Sequence, residues 1–276
     1  MIRVSPTRNC LFPPFCRSSR VVPKSGPRFS DKITRRKKEP TMTTPLIVSE
    51  VFKSFTMHLR DGIELPVVRD VSFSVSGGEC VVLGGPSGIG KSSILKMLYG
   101  NYAIDSGQIL IRHQGEVIDM GNASPRTILD IRHRTIGYVS QFLRTVPRVA
   151  AIDVVAEPLL ARKVAAEDAR EQAAMLLSKL NLPRELWSLP PATFSGGEQQ
   201  RVNIARGFIT DHAILLLDEP TASLDATNRR VVVDMIREKK EKGTALLGIF
   251  HDEEVREAVA DRILDVSQFS PRKAAA

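Results

Sequence analysis

Two stretches of this 276-residue chain have the residue types and spacing for phosphate chemistry. Gly85-Pro86-Ser87-Gly88-Ile89-Gly90-Lys91-Ser92 fits the pattern G-x-x-x-x-G-K-[ST] in full. Glycines let backbone N–H groups curl round phosphate oxygens, Lys91 reaches the β and γ phosphates, and Ser92 offers its hydroxyl to Mg²⁺. Far downstream, Ala213-Ile214-Leu215-Leu216-Leu217-Asp218-Glu219 is an apolar run closed by two acids. Asp218 is suited to the Mg²⁺ shell, which leaves Glu219 to polarise a water against the γ phosphate. An apolar strand ending in Asp-Glu is a weak sign alone; paired with the phosphate loop it becomes a strong one.

The flanking sequence predicts the elements that must hold these groups. The phosphate loop follows a continuous apolar run from Cys80 to Gly84, as expected of a strand buried on both faces, and precedes a helix over 92–98. The positive end of that helix favours an anion. Asp218 ends a second buried strand, and in doubly wound sheets ligands bind at the carboxyl ends of strands. Ahead of both, the chain reads as β-rich: a strand near 47–52, a turn at Asp61-Gly62, alternation through Val71, Phe73 and Val75, and a turn at Gly77-Gly78.

Phe194-Ser195-Gly196-Gly197-Glu198-Gln199-Gln200-Arg201, opening a helix over 198–208, resembles the L-S-G-G-Q signature of ATP-binding cassette (ABC) ATPases. Other family elements follow in order across 45–267. Gln141, after a strand over 136–140, matches the Q-loop glutamine; Ala222-Ser223-Leu224-Asp225 matches the D-loop; His251, after a strand over 245–250, matches the switch histidine. Phe55 matches the aromatic that stacks on adenine, with Phe52 as its rival. The resemblance implies an α/β fold: a RecA-like P-loop core, an antiparallel β subdomain and an α-helical subdomain inserted at about 142–200. It implies ATP and Mg²⁺ as cofactors. Nucleotide contacts fall to Phe55, the loop Gly85, Pro86, Ser87, Gly88, Ile89, Gly90, Lys91, Ser92 and Ser93, the signature Ser195, Gly196, Gly197 and Glu198, and Asp225. Ser92, Gln141 and Asp218 hold Mg²⁺, and Glu219, His251 and Gln141 serve catalysis. In this family the phosphate loop of one protomer and the signature of another close over one ATP. Phe194 and Glu198 depart from the usual Leu and Gln, and neither change removes a phosphate donor.

One phosphate loop and one signature argue against tandem cassettes, and no hinge or long coiled coil points to DNA-repair or chromosome-structure ATPases. Finer segments closely resemble the PhnL-type cassettes of the bacterial carbon–phosphorus lyase system. They are Val139-Ser140-Gln141-Phe142-Leu143-Arg144, Val146-Pro147-Arg148, Val202-Asn203-Ile204-Ala205-Arg206-Gly207-Phe208-Ile209, Leu247-Gly248-Ile249-Phe250-His251-Asp252, Ala192-Thr193 and Leu98-Tyr99-Gly100-Asn101-Tyr102. This implies phosphonate catabolism, with PhnG, PhnH and PhnI in ribose 1-methylphosphonate 5-triphosphate formation, beside PhnJ and a second cassette, PhnK. The chain then acts as a dimerising switch, with itself or with a PhnK-type cassette. The alternative is the ATP-binding subunit of an ABC transporter, whose permease helix needs a groove lined by residues 142–160.

Composition bounds the remainder. The chain is 42% apolar and 25% charged, enough for a sizeable core, and no run nears the roughly 18 apolar residues of a membrane span. Its +8 charge is lopsided: residues 1–41 carry eleven Lys/Arg against Asp31 and Glu39, so the rest is near neutral and no nucleic-acid partner is expected. Six of the seventeen prolines also fall there, and the segment reads as a disordered basic extension. It lacks the apolar core of a secretory signal; a transit peptide and a nucleic-acid tail at Arg35-Arg36-Lys37-Lys38 compete with translation starting at Met42, which we favour. The cassette then spans 42–270, with a tail at 271–276. Cys80 alone in the body cannot form an internal disulfide, which favours a cytoplasmic setting. His58, His113, His133 and His212 lack metal-ligand spacing, and Trp187 reads as a packing residue.

Overall fold

The computed structural model describes residues 44–57, 62–143 and 147–271. The extension 1–41, the start at Met42, Arg144 and Val146 lie outside the described residues.

A five-stranded parallel sheet carries the nucleotide chemistry, in the order β6 (Ile136–Val139), β7 (Ile214–Asp218), β8 (Ala245–Ile249), β3 (Cys80–Gly84), β9 (Arg262–Asp265). Parallel strands present side chains to two faces in alternation, so a run buried on both faces must be apolar throughout. In β3 Cys80 and Val82 enter one core while Val81 and Leu83 enter the other. Leu215 and Leu217 of β7 likewise face the first core, and Ile214 and Leu216 the second. These strands hold no charge until Asp218, because a charge there would meet hydrocarbon on either side.

A four-stranded antiparallel sheet, β2 (Ile63–Val75), β1 (Leu46–Met57), β4 (Ser106–His113), β5 (Glu116–Asp119), covers the second core. Between the sheets lies α1 (Lys91–Leu98), burying Ile94, Leu95, Met97 and Leu98. α2 (Pro125–Arg134) adds Ile131, and begins at Ser124, whose hydroxyl accepts the Thr127 N–H at 3.2 Å. The strand expected near 47–52 is longer than its pattern suggested, so Phe55 stands on β1 opposite Leu65.

The first core is closed by α3 (Ala151–Ala161), α4 (Ala166–Lys179) and α5 (Gly196–Phe208). Ala169, Ala173 and Leu177, at i, i+4 and i+8, form one buried stripe of α4. Trp187 packs against this core and donates its indole N–H to Leu182 O at 3.0 Å. α6 (Ala226–Glu241) and α7 (Glu253–Val259) add to the same core, burying Val232, Val233, Ile236, Val255 and Val259. No helix among the described residues is long and apolar enough to cross a membrane.

Candidate functional site

β3, β7 and β8 are neighbours or near neighbours in one parallel sheet, so their carboxyl ends deliver three loops to one edge. The loop after β3 turns at Gly85, Gly88 and Gly90, whose φ values are 116°, 78° and 105°. Gly90 is needed twice over: its φ lies in the left-handed region, and a Cβ there would come 2.9 Å from Val68 Cγ1. Lys91, at the first position of α1, is only 8% exposed. Its ammonium donates to Gly85 O at 2.7 Å and Pro86 O at 2.8 Å. Among the described residues no carboxylate lies within ion-pair distance of it. A buried cation without a counter-anion is costly, and a phosphate group is the partner this loop fits.

Asp218, 3% exposed at the end of β7, uses both carboxylate oxygens. Oδ1 accepts the Ser92 hydroxyl at 3.1 Å and Oδ2 accepts the Tyr138 hydroxyl at 2.9 Å. A carboxylate, a hydroxyl and the nearby Gln141 amide are hard oxygen donors of the kind Mg²⁺ takes beside substrate phosphates and water. Among the described residues no group of three or more His, Cys, Asp or Glu could hold a metal ion.

The next residue gathers all three groups read as catalytic. Glu219 takes φ 53°, a left-handed conformation rare outside glycine, with its N–H bonded to Ile249 O at 3.1 Å. Its Oε1 lies 2.7 Å from His251 Nε2, and its Oε2 accepts Gln141 Nε2 at 3.0 Å. Such strain persists when the surroundings over-determine it, here through β8 on one side and the Gln141 loop on the other.

The signature and the aromatic residue stand apart from that cluster. Ser195 caps α5: its hydroxyl and its N–H both donate to Glu198 Oε2 at 2.8 Å, and its oxygen accepts the Glu198 N–H at 3.4 Å. Those bonds hold the Glu198 carboxyl below the usual range. The helix expected from 198 therefore starts at Gly196. Gly197 packs against the D-loop, where a Cβ would meet Ser223 O at 3.0 Å. Asp225 caps α6 by accepting the Asn228 N–H at 2.8 Å, which depresses its carboxyl in turn. Among the described residues, no hydrogen bond or ion pair joins Ser195 or Glu198 to Lys91, Ser92, Asp218 or Glu219. Phe55 meets Tyr102 edge to face at 5.1 Å with the Lys53 ammonium 5.3 Å from its ring centre; Phe52 lies under Arg69 at 5.2 Å.

Residues 68–222 match the ABC transporter family. The chain belongs to the ATP-binding cassette family. It is an ABC-type P-loop ATPase, of a class that uses ATP with Mg²⁺. It is similar to the lipoprotein-releasing system ATP-binding protein LolD of Aquifex aeolicus, 36% identical over 191 residues, covering 69% of this chain and 83% of the relative. LolD of Idiomarina loihiensis is 34% identical over 197 residues, covering 71% and 84%. Among solved structures, the bacterial ABC transporter cassette MJ0796 superposes with a TM-score of 0.72 at 26% identity, covering 80% of this chain and 94% of that one. MJ0796 was solved as a dimer, also in a post-hydrolysis state bound to ADP and Pi.

Beside Gln141 and Asp218 opens a cleft of about 650 Å³, lined by Leu129, Arg132, Tyr138, Phe142, Glu157 and Arg206 among others. Phe142 is 73% exposed and Leu129 61% exposed. Among the described residues of the segment 142–160, expected to line such a groove, Phe142, Glu157 and Pro158 do so; other walls come from α1, α2, β6, α5 and Asp218 at the end of β7. Helix packing turns Ala151, Val154, Val155, Ala156 and Leu159 of α3 into the first core instead.

Three side chains had no site role in the sequence reading. Tyr138 bonds the metal-type carboxylate, Tyr99 stacks on Tyr138, and Arg162 clamps the end of α3 to the core. The Arg162 guanidinium reaches His133 O at 2.9 Å and His212 Nδ1 at 3.1 Å. An aromatic or arginine reads as packing or surface until the strand pairing and helix contacts are known. Cys80 takes no chemical part: burial pushes its thiol up to about 12.

Proposed function

We propose that this cassette is an ATP-driven dimerising switch, in which the phosphate loop of one protomer and the signature of another enclose each ATP. The observation that carries it is a division of labour. Lys91, Ser92, Asp218, Glu219, Gln141 and His251 converge at one sheet edge, whereas Ser195 is exposed and bonded within its own helical turn. The phosphate loop of each protomer would then be completed by the signature of the other.

Within that site the residue roles follow from reach and charge. The loop from Gly85 to Ser92, with Ser93 after it, binds the phosphates, and Lys91 supplies the cation. Ser92, Asp218 and Gln141 would hold Mg²⁺, which when bound neutralises charge on the phosphates. Phe55 offers its ring to the base. Glu219 accepts a proton from water as that water's oxygen bonds to the γ phosphorus and the bridge to ADP breaks. His251 orients Glu219 and faces the γ phosphate. Ser195, Gly196, Gly197 and Glu198, with Asp225, meet the nucleotide of the partner protomer.

For the work this switch performs, we put forward the PhnL-type role in phosphonate breakdown, with PhnG, PhnH, PhnI, PhnJ and a PhnK-type cassette as partners. Its support is where the resemblance falls. Tyr99, Asn101, Ser140, Phe142, Asn203 and Arg206, from three of the segments that carry it, all line the cleft. A client is read on such a surface, whereas nucleotide machinery is common to cassettes with many clients. A second reading has its own support: the LolD names of the relatives above favour a transport motor, with a permease helix seated in the same cleft.

The experiment is a pull-down of tagged Glu219→Gln protein with ATP and Mg²⁺ from phosphate-starved cells in mild detergent. Co-purification of soluble lyase subunits supports the phosphonate role. Co-purification of a polytopic membrane protein supports the transport motor and sinks the phosphonate one.

A further inference from the structure

We infer that Tyr138 is a positioning residue for the metal-type carboxylate, turning Asp218 so that Oδ1, beside Ser92, is the oxygen offered to a divalent cation. The inference rests on the nucleotide reading above and adds a residue to it. Tyr138 lies on β6 in parallel register with Leu216 of β7, two positions before Asp218. Its long side chain spans that offset, and its hydroxyl donates to Asp218 Oδ2 at 2.9 Å. Ser92 occupies Oδ1 from the opposite side at 3.1 Å.

The ring is itself fixed. It stacks on Tyr99 with centroids 4.9 Å apart and planes 30° apart. Tyr99 caps the C-terminus of α1, the helix whose second residue is Ser92. The Arg132 guanidinium lies 4.7 Å from the Tyr99 ring centre, and its Nε–H donates to Tyr99 O at 2.8 Å. One helix therefore carries the Ser92 hydroxyl at its start and the platform for Tyr138 at its end, and Asp218 is held between them. A buried carboxylate relieved of one donor can rotate toward other partners, and the oxygen facing Ser92 is then no longer fixed.

The test is Mn²⁺ uptake by the full chain with a non-hydrolysable ATP analogue, followed by the EPR signal of free Mn²⁺. Nucleotide affinity in EDTA and the melting temperature are read in parallel. Tyr138→Phe should raise the Mn²⁺ half-saturation concentration about threefold to tenfold, less than the full worth of a hydrogen bond to a charged group because Tyr138 acts through Asp218, with metal-free nucleotide affinity unchanged. Equal half-saturation in the two proteins overturns the inference, as does an equal loss of metal-free affinity, which marks general damage. Absence of nucleotide-dependent Mn²⁺ uptake by the unmodified chain removes the nucleotide reading and this inference with it. Should Tyr138→Phe fail to fold, Tyr99→Leu carries the test, because it keeps the hydroxyl and removes the platform. A rise of about twofold supports the inference, and no rise overturns it.

Discussion

The His251 imidazole Nε2 sits 2.7 Å from Glu219 Oε1, while the other oxygen of that carboxylate accepts the Gln141 amide at 3.0 Å. A single carboxylate thus joins the ends of β6, β7 and β8. The Gln141 loop leads toward the helical layer, so its amide ties this carboxylate to a segment beyond the parallel sheet.

Glu219→Gln keeps the shape and the ability to bond His251 but removes the proton acceptor. Hydrolysis in single turnover should slow by about 10²- to 10⁴-fold, the range for a general base, while filter binding shows ATP retained. Undiminished turnover would remove Glu219 from the mechanism.

Lys91→Ala deletes the buried ammonium that bonds Gly85 O and Pro86 O. Equilibrium titration should show ATP affinity reduced by at least about tenfold, as expected for a charge-assisted phosphate contact. Unchanged affinity would place the triphosphate elsewhere.

Ser195→Arg adds bulk at an exposed position. Monomer affinity for ATP should stay within about twofold of the unmodified chain, because an exposed change away from the phosphate loop costs little. In a Glu219→Gln background with saturating ATP, size-exclusion with light scattering should show Ser195→Arg monomeric and the parent dimeric. A dimer from both contradicts the shared site.

His212 is held neutral. Burial drives its imidazole down to about 3, with the Arg162 and Lys239 charges pushing the same way. Arg162 donates to Nδ1, and Nε2 lies 2.7 Å from Thr210 Oγ1, which it can then donate to. The unfolded chain takes up a proton near pH 6.5 that the folded chain refuses until about pH 3. The contribution of His212 to stability is therefore full above pH 6.5 and falls as pH drops below it, by about 1.4 kcal/mol per unit well inside that window. His212→Gln should flatten the fall in denaturant midpoint between pH 6.5 and 5; parallel curves would show that His212 is not the titrating group.

Gly207 of α5 faces Val139 of β6 so closely that a Cβ would lie 2.3 Å from Val139 Cγ2. Valine is stiff at χ1, so Gly207→Ala should overpack this contact despite its better helix propensity. A loss of about 1–3 kcal/mol in chemical denaturation is expected. A gain in stability would show that β6 yields.

The sequence by itself determined the residue types and local turns of the candidate site. The phosphate loop needs Gly85, Gly88 and Gly90 for left-handed turns and Lys91 for charge, and such demands leave a local pattern. Asp218 and Glu219 were legible because they end a run, Ile214–Asp218, whose double-sided burial tolerates no polar residue earlier. Phe194-Ser195-Gly196-Gly197 was legible for a similar reason, as a capping turn at fixed spacing ahead of its helix. Tertiary structure alone decided what depends on contacts between distant segments. Nothing local tells that Tyr138 reaches Asp218 or that Tyr99 supports it, since strand register and helix placement set both distances. The walls of the cleft belong to the same class: α1, α2, β6 and α5 meet there because two hydrophobic cores close on opposite faces of one sheet. Pattern encodes what one segment must be, and packing decides which segments meet.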